Sequence, residues 1–100
     1  MKKTINFKTV SPMFEMERDG KKYFTIRKID YKDSRFRALG QWIKEWDWLI
    51  KITEPSTDET FTRHIFNVSR IHVFDARNTT CKYRTLYDWL IIEWDFRKGK

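Results

Sequence analysis

Leu90, Ile92, Trp94 and Phe96 occupy every second position near the end of the chain, and Trp48, Ile50 and Ile52 do the same in its middle. An apolar period of two builds one buried face of a β-strand, and a helix would scatter those side chains around its axis. The same period runs through Lys22–Lys28, where Phe24 and Ile26 point one way and Tyr23, Thr25 and Arg27 the other. Ile5–Val10 reads as a short first strand with Ile5 and Phe7 on one face. Trp42–Thr53 has strand character, Glu54-Pro55-Ser56-Thr57-Asp58-Glu59 signals a turn, and Thr60–Val68 returns, so a hairpin is expected. Arg70–Phe74 continues the sheet after a bend, Ala76–Arg84 is a polar loop, and Leu86–Phe96 closes the order. The expected core is Phe24, Ile26, Ile50, Ile52, Leu90 and Ile92.

One early helix interrupts the strands. Ser11-Pro12 opens it, with Ser as cap and Pro preorganised for the first helical position. Glu15 suits the positive N-terminal end, and Asp19-Gly20 ends the helix, Gly being free to turn left-handed. Asp30–Gly40 is charged and forms a loop or a short helix. Residues 1–100 fit one α+β domain, a small curved, mostly antiparallel barrel with a short early helix. A chain of 100 residues buries only a modest core. Its aromatic content of 17% compensates, because each large ring removes much area from water.

The net charge of +7 is uneven: residues 1–37 hold 11 Lys/Arg against 5 Asp/Glu, a net +6. That balance fits either a polyanion partner or a solvated surface. No apolar run is long enough to span a membrane, no signal-type stretch follows Met1, and Cys81 stands alone. These features point to the cytoplasm, with no membrane and no disulfide. Asn67 and Asn78 head glycosylation-type triplets that such a location leaves without meaning. His64, His72 and Cys81 lack zinc-site spacing, and no metal or other cofactor is expected.

The residues around Gly20 carry the chemistry. Gly20 permits a tight turn, Lys22 leaves it with a mobile ammonium, and Thr25 and Arg27 share a face of the next strand. An ammonium, a hydroxyl and a guanidinium converging suit a phosphate or a carbonyl-bearing base edge. Arg27 offers a bidentate fork, Lys22 a point charge, and Lys21, Lys28, Arg35 and Arg37 raise the local potential. Tyr23 or Trp42 could stack on a base. In the alternative, Arg27 pairs with Asp30 or Asp33 and Thr25 is an ordinary strand residue. Trp42, Trp46 and Trp48 are either a stacking platform or core and rim.

The segment Gly20-Lys21-Lys22-Tyr23-Phe24-Thr25-Ile26-Arg27 has the form G-x-K-x-x-T-I-R and follows a strand and a helix. It resembles the hallmark segment of ASCH domains, which have a PUA-like barrel. Asp30 extends the match to I-R-x-x-D, similar to an ASCH-related family whose function is not established, and Thr57-Asp58-Glu59 with Arg63 stand where that family has a hairpin and an Arg on its returning strand. The resemblance covers residues 5–30 well and 42–70 loosely. The family's F-x-x-G-D is replaced here by Phe36 and Gly40-Gln41, one residue longer and without the acid. Some ASCH proteins are amidohydrolases that remove an acyl group from a modified cytidine; the resemblance implies Lys22 and Thr25 as catalytic, with Glu45, Glu54 and Glu59 as candidates for the assisting carboxylate.

Three functions are open at this stage. The first is a module binding RNA or a nucleotide at Lys21, Lys22, Tyr23, Thr25, Arg27, Lys28, Arg35, Arg37 and Trp42. The second is a small amidohydrolase using Lys22 and Thr25. The third is a protein-binding adaptor or inhibitor of phage or mobile-element type, which small size and abundant aromatics fit.

Overall fold

The computed structural model describes residues 3–74 and 86–94. The elements run β1 (Lys3–Lys8), α1 (Met13–Arg18), β2 (Phe24–Lys28), α2 (Ser34–Leu39), β3 (Trp48–Thr53), β4 (Thr60–Phe74) and β5 (Leu86–Trp94). The strands form one strongly curled, mixed sheet in the order β1-β3-β4-β5-β2, an α+β half-barrel. Only β1 and β3 pair in parallel; the other three pairings are antiparallel. The two edge strands are therefore β1 and β2, and the curl turns them toward each other.

The concave face holds the core. Ile5 and Phe7 of β1, Trp48, Ile50 and Ile52 of β3, Phe61 and Ile65 of β4, and Leu90, Ile92 and Trp94 of β5 are all buried. Two short helices cover that face: α1 sets Phe14 on Phe61 at 5.4 Å, and α2 sets Phe36 edge-on against Phe7 at 5.8 Å. Ile50, Ile52, Leu90 and Ile92 are core, as their period of two predicts.

Phe24 and Ile26 are not core, which corrects the sequence reading. They are 37% and 45% exposed, while Thr25 between them is 3% exposed. The register is the cause. Thr25 lies opposite Ile92 and Arg27 opposite Leu90. Cross-strand partners share a face of the sheet, so Thr25 and Arg27 follow those two core residues inward. Alternation identified two faces of β2 without saying which one the core would take.

Other boundaries moved. Trp42–Asp47 is turn rather than strand, and β3 starts at Trp48. The hairpin turn is as expected, closed by Glu54 N–H donating to the Glu59 carbonyl at 2.8 Å. Arg70–Phe74 belongs to one long β4, and the irregularity falls earlier, as a bulge at Phe66 between the pairs Ile65–Trp94 and Asn67–Glu93. The extra residue switches which sequence parity faces inward: Phe61 and Ile65 before it, Val68 after it. At α1, the cap position falls on Pro12 after a cis Ser11-Pro12 bond, and Ser11 donates its hydroxyl to Glu15 instead of capping. Asp30–Gly40 contains the helix α2, capped by Asp33, whose carboxylate accepts from the Arg35 N–H at 2.9 Å. Phe96, Asn78, Cys81 and the loop expected at Ala76–Arg84 lie outside the described residues.

Candidate functional site

The chain leaves α1 through a reversal that aims Lys22. Asp19 N–H donates to the Glu15 carbonyl, and the N–H groups of Lys21 and Lys22 both donate to the Met16 carbonyl, at 3.0 and 3.1 Å. Gly20 at φ 83° supplies the left-handed step. Lys22 is thus in the turn, not on β2, and the face parity of the strand does not bind it. Its Nζ reaches back to Glu17 on α1 and donates to Oε2 at 2.9 Å.

Glu17 is 1% exposed, and its second oxygen, Oε1, is buried with no hydrogen-bond partner among the described residues. A carboxylate so placed retains acceptor capacity for an N–H donor. Nothing in the sequence reading pointed to Glu17. The signal available was its position one residue before the last of α1, within one turn of the Gly that sends Lys22 back. Of the carboxylates named in advance, Glu54 accepts from the Ser56 N–H at 3.0 Å and from its hydroxyl. Glu59 pairs with Arg18 at 2.6 Å, and Glu45 lines a separate cavity. Among the described residues, none of the three bonds to Lys22 or Thr25.

Arg27 enters from β2 and crosses to β1. Its Nε donates to Thr25 Oγ1 at 3.0 Å, one terminal nitrogen donates to the Lys8 carbonyl at 2.8 Å, and the other to Thr9 Oγ1 at 2.6 Å. The guanidinium lies 4.9 Å from the centre of the Phe7 ring, and Arg35 lies 4.4 Å from the same ring. Arg35 donates to the Asn6 carbonyl at 2.6 Å and pairs with Asp33 at 2.5 Å. Neither Asp30 nor Asp33 takes Arg27. Burial lowers the pKa of Arg27, the Glu17 charge opposes that shift, and the Arg35 charge adds to it. The hydrogen bond from Arg35 holds the Asp33 carboxyl below its ordinary value. Two polar sets result: Glu17 with Lys22 beside the Gly20 turn, and Thr25, Arg27 and Arg35 around Phe7 where the two edge strands approach, with the Glu17 charge acting on Arg27 between them.

The remaining residues named from sequence scatter. Lys28 stands on the outer face of β2, Lys21 and Tyr23 are exposed around the turn, and Arg37 is exposed on α2 with Nε 3.4 Å from the Tyr31 carbonyl. Trp42 is half-buried against the core and lines a cavity of about 310 Å3 with Leu39, Gly40, Val68, Ser69, Arg70 and Leu90. Trp46 stacks on buried Trp48 at 5.1 Å. Arg63 points to α1, donating to the Arg18 carbonyl at 3.1 Å. His64 pairs with Asp47 at 2.7 Å, and among the described residues no group of three potential ligands could hold a metal. Among them, too, no helix is long and apolar enough to cross a membrane.

No family model matches this sequence, and no curated protein and no solved structure matches it either.

Proposed function

We propose that this chain is an ASCH-like module that binds RNA or a nucleotide through the cleft around Gly20–Arg27. The observation that carries this reading is the Glu17–Lys22 pair. It sets a buried carboxylate oxygen that lacks a hydrogen-bond partner beside an ammonium that is still partly solvated. An acceptor next to a cationic donor is complementary to a base edge that presents an N–H next to a carbonyl. Arg27, whose three nitrogens each already donate, acts as the positioning residue of the cleft. The exposed cations Lys21 and Arg37 attract the phosphates, and Lys28, on the outer face of β2, stands away from them. Fluorescence anisotropy with short single-stranded RNAs and with mononucleotides tests this. Affinity should fall steeply between roughly 50 and 200 mM salt. Lys22→Gln and Glu17→Gln, each checked for native circular dichroism, should both weaken binding. No binding by the parent at low salt, or equal binding by both folded variants, defeats the reading.

A second reading has one observation in its favour: Glu17 supplies a carboxylate in contact with Lys22. In an amidohydrolase, Lys22, Thr25 and Glu17 would activate the nucleophile and protonate the departing amino group as the amide C–N bond of an N-acylated cytidine breaks, with one water consumed, giving a carboxylic acid and free cytidine. Release of acetate from N-acetylcytidine, abolished in Thr25→Val, is its test. If neither binding nor turnover is found, the adaptor reading leads.

A further inference from the structure

A cavity of about 370 Å3 lies where the chain enters β3, and every residue lining it is described. That volume is at the small end of ligand pockets. None of its lining residues belongs to the Gly20–Arg27 cleft. Two local devices build its aromatic walls. The Trp46 N–H donates to the Ile43 carbonyl at 3.0 Å, and the turn so closed lays Trp46 on buried Trp48, with ring centres 5.1 Å apart. The bulge in β4 leaves Phe66 out of the ladder and 51% exposed. Lys44, Glu45 and the Asp47–His64 pair also line the cavity.

Charge and ring contacts indicate what such a cavity takes. The chain carries a net +7, yet here two carboxylates, Glu45 and Asp47, stand against one ammonium, Lys44. Glu45 makes no hydrogen bond and no ion pair among the described residues. The Lys44 ammonium lies 5.2 Å from the centre of the Phe66 ring, within reach of a cation–π contact. The cavity thus already holds one alkylammonium, supplied by the chain itself.

We propose that this cavity binds an alkylammonium group, carried by a peptide lysine or by a small amine, and that Lys44 stands in for that group in the free chain. The entering ammonium takes the face of Phe66, lays its methylenes on Trp46 and donates to the Glu45 carboxylate. Lys44 then moves off into water. An anion is disfavoured at the same place, because the charges of Glu45 and Asp47 oppose it. The site is independent of RNA or nucleotide binding at the Gly20–Arg27 cleft.

Nuclear magnetic resonance titration of the full chain with n-butylammonium chloride tests this, against sodium chloride and sodium butyrate at equal ionic strength. Butylammonium should give saturable shifts at the Trp46 indole N–H and the Phe66 amide, with a Kd on the order of 1–10 mM. The other two salts should not. Lys44→Met removes the internal competitor and should tighten binding about two- to fivefold, the size of an exposed cation–π contact. Phe66→Leu and Glu45→Gln, both at exposed sites and checked for an unchanged melting temperature, should each weaken it by a similar factor. An N-acetylated, C-amidated Gly-Lys-Gly peptide that binds more tightly than butylammonium assigns the site to peptide lysine, and one that binds equally or less tightly assigns it to a small amine. No saturable shift with either amine, in the parent and in Lys44→Met, overturns the proposal. So does weaker binding in Lys44→Met, or binding of butyrate at the same residues.

Discussion

Lys22 and Glu17 are the pair on which stability beside the Gly20 turn depends. Removing the ammonium leaves a carboxylate that is 1% exposed without its counter-charge. Lys22→Met should therefore cost on the order of 2 kcal/mol, less than the loss of a fully buried pair because Lys22 keeps some solvent. Replacing both residues by apolar ones of similar size should recover most of it, and urea unfolding of the single and double variants measures the difference. Glu54 offers a test by pH. The Ser56 hydroxyl and N–H hold its carboxyl below the ordinary 4.5. The folded chain thus binds that proton less readily than the unfolded chain does. The stabilisation is complete above the unfolded value and is lost as pH falls through the folded one. Glu54→Gln should melt lower than the parent near neutral pH and lose less on acidification, in thermal melts recorded at steps from roughly pH 7 to pH 2.

At the scale of elements, the bulge in β4 decides which side chains the strand buries. Ile65 pairs with Trp94 and Asn67 with Glu93, so Phe66 is the unpaired residue of the ladder. Deleting Phe66 leaves Ile65 and Val68 inward and the register intact, and that variant should retain cooperative unfolding. Deleting Thr62, in the regular ladder, exchanges the faces of the strand on one side of the cut and should abolish cooperative unfolding. Thermal melts of the two variants give the comparison. Strand β2 calls for the opposite of what its apolar residues advertise. Ile26→Thr should change stability by no more than about 0.5 kcal/mol, as at an ordinary surface site. Ile92→Ala, at a fully buried site on the neighbouring strand, should cost about 2–5 kcal/mol.

Across the whole molecule, closure of the half-barrel rests on a side chain rather than on a ladder. The outer edge of β1 offers the carbonyls of Asn6 and Lys8, and Arg35 and Arg27 take them. An edge so covered is a poor template for pairing with another chain. Arg27 is the only one of the two that starts on the opposite edge strand, so it ties β2 to β1 across the gap. Arg27→Met should keep the aliphatic packing on Phe7 and lose three hydrogen bonds, at about 2–3 kcal/mol. Arg27→Lys should recover little, because an ammonium cannot hold three divergent acceptors at once. Hydrogen exchange should show the loss in β1 and β2 before the central strands β3 and β4.

The period of two in β3 and β5, the Gly turn after α1 and the charged hairpin turn are local properties, set by neighbouring residues and by Gly conformational freedom. They were legible in the chain alone, and so was the shared face of Thr25 and Arg27. The face that β2 buries was not, because alternation is symmetric under exchange of faces. Only its register against Ile92 and Leu90 resolves it. Nor was Glu17, whose partner is chosen by the direction in which a left-handed Gly returns the chain over α1. The role of Arg27 also lies beyond any local pattern. Its acceptors, Lys8 and Thr9, are 19 and 18 residues away in sequence. Curling of the sheet brings them within hydrogen-bond reach, and the curl is a property of five strands packed together.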